Sequence, residues 1–294
     1  MNKKSKAAKS KATKKKSVAK FSSAKALAVA SNSQKSTAER VTAMALAPSV
    51  LYETENDIQS ILNILQDRSE AIALRLAALQ ALQSASFSVV DFESIRGEYI
   101  ATLRKVAVDP DPELRQRVLG ILAREKDGFA QKKLLEGLQK PEKALLPPEK
   151  ALQLLGYDVH TEAYSIAREI VKAPPNPTAK REALRLLAAD AKSAPMFEKL
   201  LKDKSESDEI RQLSASALHA INPAKMQASA RELLLDPQEK GNIQATCLTV
   251  ITSFGDRDAV AKDKLLLDRV EKIKATAAPK IKQCARQLLD KYGR

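Results

Sequence analysis

The chain has 294 residues, 44% apolar and 4% aromatic, with no Trp, 8 Gly, two Cys, two His and a formal net charge of +14. A core of Ala, Leu, Ile and Val with so little glycine disfavours all-β folds rich in tight turns and excludes glycine-rich nucleotide loops. Two Cys cannot form a disulfide framework and two His leave little for a His-based metal site, so composition disfavours most enzymes and fits a reducing, cytoplasmic setting.

The charge is uneven along the chain. Residues 1–35 carry 11 Lys and no acid, while residues 36–294 carry 39 basic against 36 acidic residues. Residues 1–37 are Lys, Ala and Ser with little to bury, and cannot offset their ordering entropy, so they are expected to be a disordered tail. Lys3, Lys4, Lys6, Lys9, Lys11, Lys14, Lys15 and Lys16 in that tail are candidates for contact with nucleic acid or another polyanion. A bland solubilising tail and a targeting segment are the other two readings. The apolar stretch at 26–30 is too short for a secretory signal, and the absence of Arg departs from a mitochondrial presequence. No run is long enough to span a membrane.

Residues 38–55 are expected to form a capping helix, over 38–47, and a linker. From residue 56 to 294 the chain repeats. The segments 75–82, 115–122, 148–155, 180–187, 211–218, 244–251 and 282–289 align on Leu82, Leu122, Leu155, Leu187, Leu218, Ile251 and Leu289, spaced 40, 33, 32, 31, 33 and 38 residues apart. Four residues before each of these lies a modest side chain: Ala78, Val118, Ala151, Ala183, Ser214, Cys247 or Ala285. A small residue one turn below a large one lets a neighbouring helix approach closely. Upstream of each segment a second apolar run keeps helical spacing, as in Ile58, Ile61, Leu62 and Leu65. No segment sustains period-two alternation.

The turns agree. In Asp109-Pro110-Asp111-Pro112, Pro110 ends one helix, Asp111 caps the next and Pro112 takes its first position. Pro148, Pro223 and Pro279 suit the same role, and residues 173–177 break two helices. The chain is therefore expected to be all-α: an α-solenoid of about six to seven antiparallel helix pairs, each too small to bury its own apolar face.

The stretch from Asp109 to Leu122 resembles a HEAT repeat of the short bacterial kind, often called the phycobilisome-lyase HEAT-like repeat. The resemblance rests on an Asp in the turn and a base opening the second helix: Asp67 with Arg75, Asp109 and Asp111 with Arg115, Asp203 with Arg211. Lys180 and Lys282 keep the base alone; Pro148 and Gln244 depart from it. The resemblance implies protein binding along the solenoid groove, with second helices on the concave face. Three functions on such scaffolds can be compared with the residues. Alkylpurine glycosylases use Trp, which is missing. Di-iron hydroxylases need paired His-Glu motifs, but Thr161 follows His160 and Ala220 follows His219. Phycobilin lyases offer no sharp motif and stay as a third reading.

With the opening base as position zero, positions three, four, six and seven are apolar, and at about 100° per residue positions one and five face away from them. That ladder includes Gln116, Gln153, Arg181, Arg185, Gln212, Ser216, Thr249, Gln283 and Gln287. It is mostly neutral and suits a protein or peptide better than a duplex, which calls for Lys and Arg. Arg181 and Arg185 form its one basic pair, read as an anchor for an acidic partner or as a solvated face. The opening bases are expected to hold turn acids or neighbouring repeats. Cys247 and Cys284 are expected on core-side helices, and His160 and His219 have no visible catalytic partner. Lys272, Lys274 and Lys280 lie in the basic stretch 262–294, either a polar cap or a second polyanion contact. The leading expectation is a non-catalytic protein-binding scaffold without cofactor; the alternative is sequence-nonspecific nucleic-acid binding through the tail and the basic last repeat.

Overall fold

A computed structural model describes residues 25–46, 55–87, 92–158, 161–239 and 241–293. Lys3, Lys4, Lys6, Lys9, Lys11, Lys14, Lys15, Lys16 and His160 lie outside the described residues. Those described form helices and turns, with no strand among them. The chain divides into two compact units, residues 1–133 and 134–294, with the division inside one helix.

The first unit contains α1 (residues 25–30), α2 (Thr37–Leu46), α3 (Glu55–Gln66), α4 (Ile72–Ser86), α5 (Arg96–Val106) and α6 (Pro112–Arg124). Helices α3 and α4 pair, as do α5 and α6, while the second helices α2, α4 and α6 pack side by side and α3 packs on α5. The division falls within α7 (Gly128–Gln139). The second unit continues with α8 (Pro148–Leu155), α9 (Ala163–Lys172), α10 (Pro177–Leu187), α11 (Ala194–Lys202), α12 (Asp208–Ile221), α13 (Pro223–Leu235), α14 (Gly241–Phe254), α15 (Arg257–Lys262), α16 (Lys264–Thr276) and α17 (Pro279–Tyr292). Here α9–α10, α11–α12, α13–α14 and α16–α17 pair, and α8, α10, α12, α14 and α17 form a row of successive neighbours. This two-layer stacking is the α-solenoid expected from the repeats.

The two aligned columns explain it. The seven large residues from Leu82 to Ile251 and Leu289 are buried, and so are Ala78, Val118, Ala151, Ala183, Ser214, Cys247 and Ala285. Burying one such Leu contributes roughly 1.5–3 kcal/mol, and the small column one turn below makes room for the next second helix. The helix starts follow their side chains. Asp111 accepts from the Leu114 amide at 2.8 Å with Pro112 at the first position. Asn176 accepts from the Ala179 amide at 2.8 Å ahead of α10, and Ser207 from the Ile210 amide at 3.3 Å ahead of α12.

Residues 25–30, inside the segment expected as disordered tail, are helical. Ala26, Leu27 and Ala30 are buried, so this short run does offer something to pack. Helix α2 is correspondingly the second helix of a pair, with Ala43 and Met44 buried in the places that Ala78 and Leu79 take in α4. Arg40 joins the two: its Nε donates to the Ala30 carbonyl at 2.8 Å, and its guanidinium meets Glu70 with bonds of 2.7 and 2.5 Å. Arg40→Ala is expected to abolish amide-exchange protection across residues 25–46 while leaving 72–86 and 112–124 protected, because terminal repeats open locally.

Candidate functional site

The opening bases repeat one geometry. The Arg75 Nε donates to the Leu65 carbonyl at 2.9 Å and its Nη2 to the Asp109 carboxylate at 2.6 Å. The Arg211 Nε donates to the Leu201 carbonyl at 2.8 Å, and its guanidinium grips Glu239 with bonds of 3.1 and 2.5 Å. Arg40 does the same with Ala30 and Glu70. In each case the base ties off a carbonyl ten residues back, at the end of its own first helix. It then crosses to an acid in the next repeat's turn. Lys180 reaches Glu206 in the same sense. We refer to this arrangement as a clasp.

The acids have a pattern of their own. Asp67, Asp203 and Asp236 each accept the backbone amide two residues on, at 2.9, 2.9 and 2.8 Å, and so close their own turns. The Glu three residues after each (Glu70, Glu206 and Glu239) receives the preceding repeat's base. The turn Asp beside a base in sequence is therefore not that base's partner: Asp67 holds Ser69 while Arg75 goes to Asp109, and Asp203 holds Ser205 while Arg211 goes to Glu239. Arg115 does hold its own turn, through the carbonyl of Asp109 at 2.7 Å.

Burial sets the energetics. Arg75 and Asp109 are 2% and 1% exposed, Arg211 and Glu239 5% and 3%. Burial raises the Asp109 carboxyl, but the Arg75 hydrogen bond, the Asp111 amide and the charges of Arg75 and Arg68 outweigh it and hold the group below the ordinary carboxylate range. A buried pair adds little net stability over apolar packing but is costly to break by halves.

The ladder lies on the outer faces of the second helices. In the second unit Gln153, Arg185, Ser216, Thr249, Gln283 and Gln287 are exposed, and Arg181 and Gln212 are partly so. Gln116 is exposed on α6 in the first unit. The row of α8, α10, α12, α14 and α17 therefore presents one polar face built from five helices. Its basic pair is already engaged. The Arg181 Nη1 donates to the Glu209 carboxylate at 3.2 Å and the Arg185 Nη1 to Glu182 at 2.7 Å. The charge of this pair is thus compensated from within, and the other ladder positions offer amide and hydroxyl groups. The Thr249 hydroxyl itself donates to the Ala245 carbonyl at 2.9 Å.

Among the C-terminal lysines, Lys272 and Lys280 are exposed, and Lys274 pairs with Glu271 at 2.6 Å. Lys291 is engaged on the Thr252 carbonyl at 2.6 Å. Cys247 is fully buried in the small column, and burial first, then the Glu239 charge, pushes its thiol up to about 12. The thiolate is the nucleophile, so Cys247 is inert in the folded chain. Cys284 is partly exposed. Native protein is expected to take up N-ethylmaleimide at Cys284 alone, with Cys247 labelled only in denaturant, as mass spectrometry of the tryptic peptides would show. His219 stacks on Phe254 with ring centroids 4.2 Å apart. No cluster of three His, Cys, Asp or Glu side chains suited to a metal ion occurs among the described residues. No helix among them is long and apolar enough to cross a membrane.

No protein-family model matches the chain. No curated protein matches it either. Among solved structures, the chain is similar to human deoxyhypusine hydroxylase in complex with glycerol, at 15% identity and a TM-score of 0.34, over 81% of this chain and 96% of that one. It is also similar to the complex of CpcE and CpcF of phycocyanin lyase from Nostoc sp. PCC7120, at 14% identity and a TM-score of 0.29, over 90% of this chain and 92% of that one. Both are enzymes, and this corrects the expectation from composition that the chain is not one. Neither likeness assigns an activity to this chain.

Proposed function

We propose that the chain is a scaffold of HEAT-like repeats that binds a protein or peptide partner across the polar outer faces of its second helices in residues 134–294. The observation that supports this reading is the row of α8, α10, α12, α14 and α17, which carries Gln153, Gln212, Ser216, Thr249, Gln283 and Gln287 on one continuous face. Clasps join the turns of α10 to α12 and of α12 to α14, which fixes the spacing of the side chains on the middle of that row and favours a preorganised surface. Neutral donors and acceptors on such a surface match main-chain and amide groups of an extended peptide. They offer little to a duplex, whose affinity comes from phosphate contacts.

A photo-crosslinking amino acid placed singly at Gln153, Gln212, Ser216 and Gln287 tests the reading, with Glu169, Lys199 and Glu232 on the first helices as controls. The full chain is exposed to extract of its own host. One protein crosslinked repeatedly from the ladder positions and not from the controls is the expected result. Crosslinks of equal yield from both faces, or crosslinks to nucleic acid alone, would contradict it.

A further inference from the structure

Like the joint at α8, where Pro148 takes position zero and the next turn has no acid, the joint at α14 departs from the clasp on both sides. Position zero of α14 is Gln244, which is neutral, and the next turn, Thr276-Ala277-Ala278, carries no acid. The carbonyl ten residues before Gln244 is still tied off, but from the opposite direction. Arg269, on α16, donates from Nε to the Leu234 carbonyl at 3.0 Å and from Nη2 to the Asp236 carbonyl at 3.2 Å. The guanidinium of the clasp is thus restored while its carboxylate is not. No Asp or Glu of the described residues lies within ion-pair distance of Arg269; Asp236, whose charge it senses, is held by Lys204.

The missing partner leaves space. A cavity of about 460 Å³ lies there, lined by Glu239, Gln244, Arg269, Ile273, Ala277 and Ile281. Its charges do not cancel: Glu239 is already neutralised by Arg211 at 2.5 Å, which leaves the Arg269 guanidinium in excess. Gln244 is 5% exposed and spends one amide hydrogen on the Glu239 carbonyl at 3.1 Å. Helix α17 opens at Ala278, which has no side-chain cap for the first-turn amides. Ile273 and Ile281 supply an apolar wall.

We propose that this cavity binds a short-chain organic monocarboxylate. The ligand's carboxylate takes the place of the absent turn acid on Arg269, and its hydrocarbon part lies on Ile273 and Ile281. A second carboxylate would be driven against Glu239, which favours the monoacid. The site is separate from the ladder, and its occupancy would brace the joint between the last two helix pairs as a clasp braces the others.

Butyrate is the probe, with butyramide as its neutral isostere and inorganic phosphate as a second anion, titrated at neutral pH and constant ionic strength into the full chain with nitrogen-15-labelled arginine. Butyrate is expected to shift the Arg269 Nε–H resonance saturably, with butyramide at least about tenfold weaker because a charge-assisted bond is lost. Ala277→Glu supplies the carboxylate internally and is expected to abolish the butyrate shift; Arg269→Gln removes the resonance and so identifies it. Ala277→Glu leaves the Arg269 bonds to the two carbonyls in place, so the reporter is kept in the variant that tests the site. Equal binding of butyrate and butyramide, phosphate binding in preference to butyrate, no saturable shift, or an unchanged shift in folded Ala277→Glu would overturn the proposal.

Discussion

Arg211→Ala is expected to lower the stability of the second unit by about 3–5 kcal/mol, the range for removing one partner of a buried ion pair. The loss has three sources. Glu239, 3% exposed, is left without its guanidinium; the Leu201 carbonyl loses its donor; and a side chain that fills the space between consecutive turns is gone. The apolar double substitution Arg211→Met with Glu239→Leu removes both charges and is expected to recover most of that loss, since matched apolar packing at a buried pair is often neutral or better. Urea unfolding followed by circular dichroism of the two variants decides the matter. If the single substitution costs under about 1 kcal/mol, the clasp is only a surface pair.

The second large effect is on pH dependence. Asp109→Asn is expected to destabilise the first unit at neutral pH and to flatten its acid limb. The Asp109 carboxyl sits lower folded than unfolded, against its own burial, because Arg75, the Asp111 amide and Arg68 favour the anion. Its contribution is therefore complete above the unfolded value of about 3.9 and is lost as pH falls through the folded value beneath it. Protonation there leaves Arg75, 2% exposed, charged and unpaired. Other acids held low by their partners, including Asp67, Asp203, Asp236 and Asp263, titrate in the same window, so the informative quantity is the difference between the wild-type and Asp109→Asn curves. Parallel curves below pH about 4 would mean that Asp109 does not couple to folding.

The helical repeat was legible because its cause is local. Apolar residues at helical spacing, a small residue one turn below a large one and Pro at helix starts each act within a single repeat, and the seven aligned segments carry them all. The partners of the opening bases were not legible from adjacency. A side chain that reaches the next repeat crosses 26–34 residues of chain, and the Asp nearest in sequence is already used to close its own turn. A usable signal was present in the Asp-x-x-Glu spacing of Asp67–Glu70, Asp203–Glu206 and Asp236–Glu239, which separates turn-closing from base-receiving acids. Arg40 was likewise visible at 35 residues before Arg75, and it marks a pair that the Lys-rich composition of the first residues hid.

The candidate face shows a different limit. Helical geometry was sufficient to place Gln153, Ser216 and Thr249 outward, because position on a helix fixes direction. It was not sufficient to foresee that Arg181 and Arg185 are held by Glu209 and Glu182, since Glu209 comes from the following second helix. The basic anchor expected on the ladder is therefore a charge-balanced patch, and specificity on this face would come from hydrogen bonding and shape.

The central claim is that the second helices of residues 134–294 form the partner-binding face. Hydrogen exchange of the full chain, with and without the protein recovered from the ladder crosslinks, tests it most directly. The predicted result is added protection in α8, α10, α12, α14 and α17, with the first helices α9, α11, α13 and α16 unchanged. Protection confined to those first helices would contradict it.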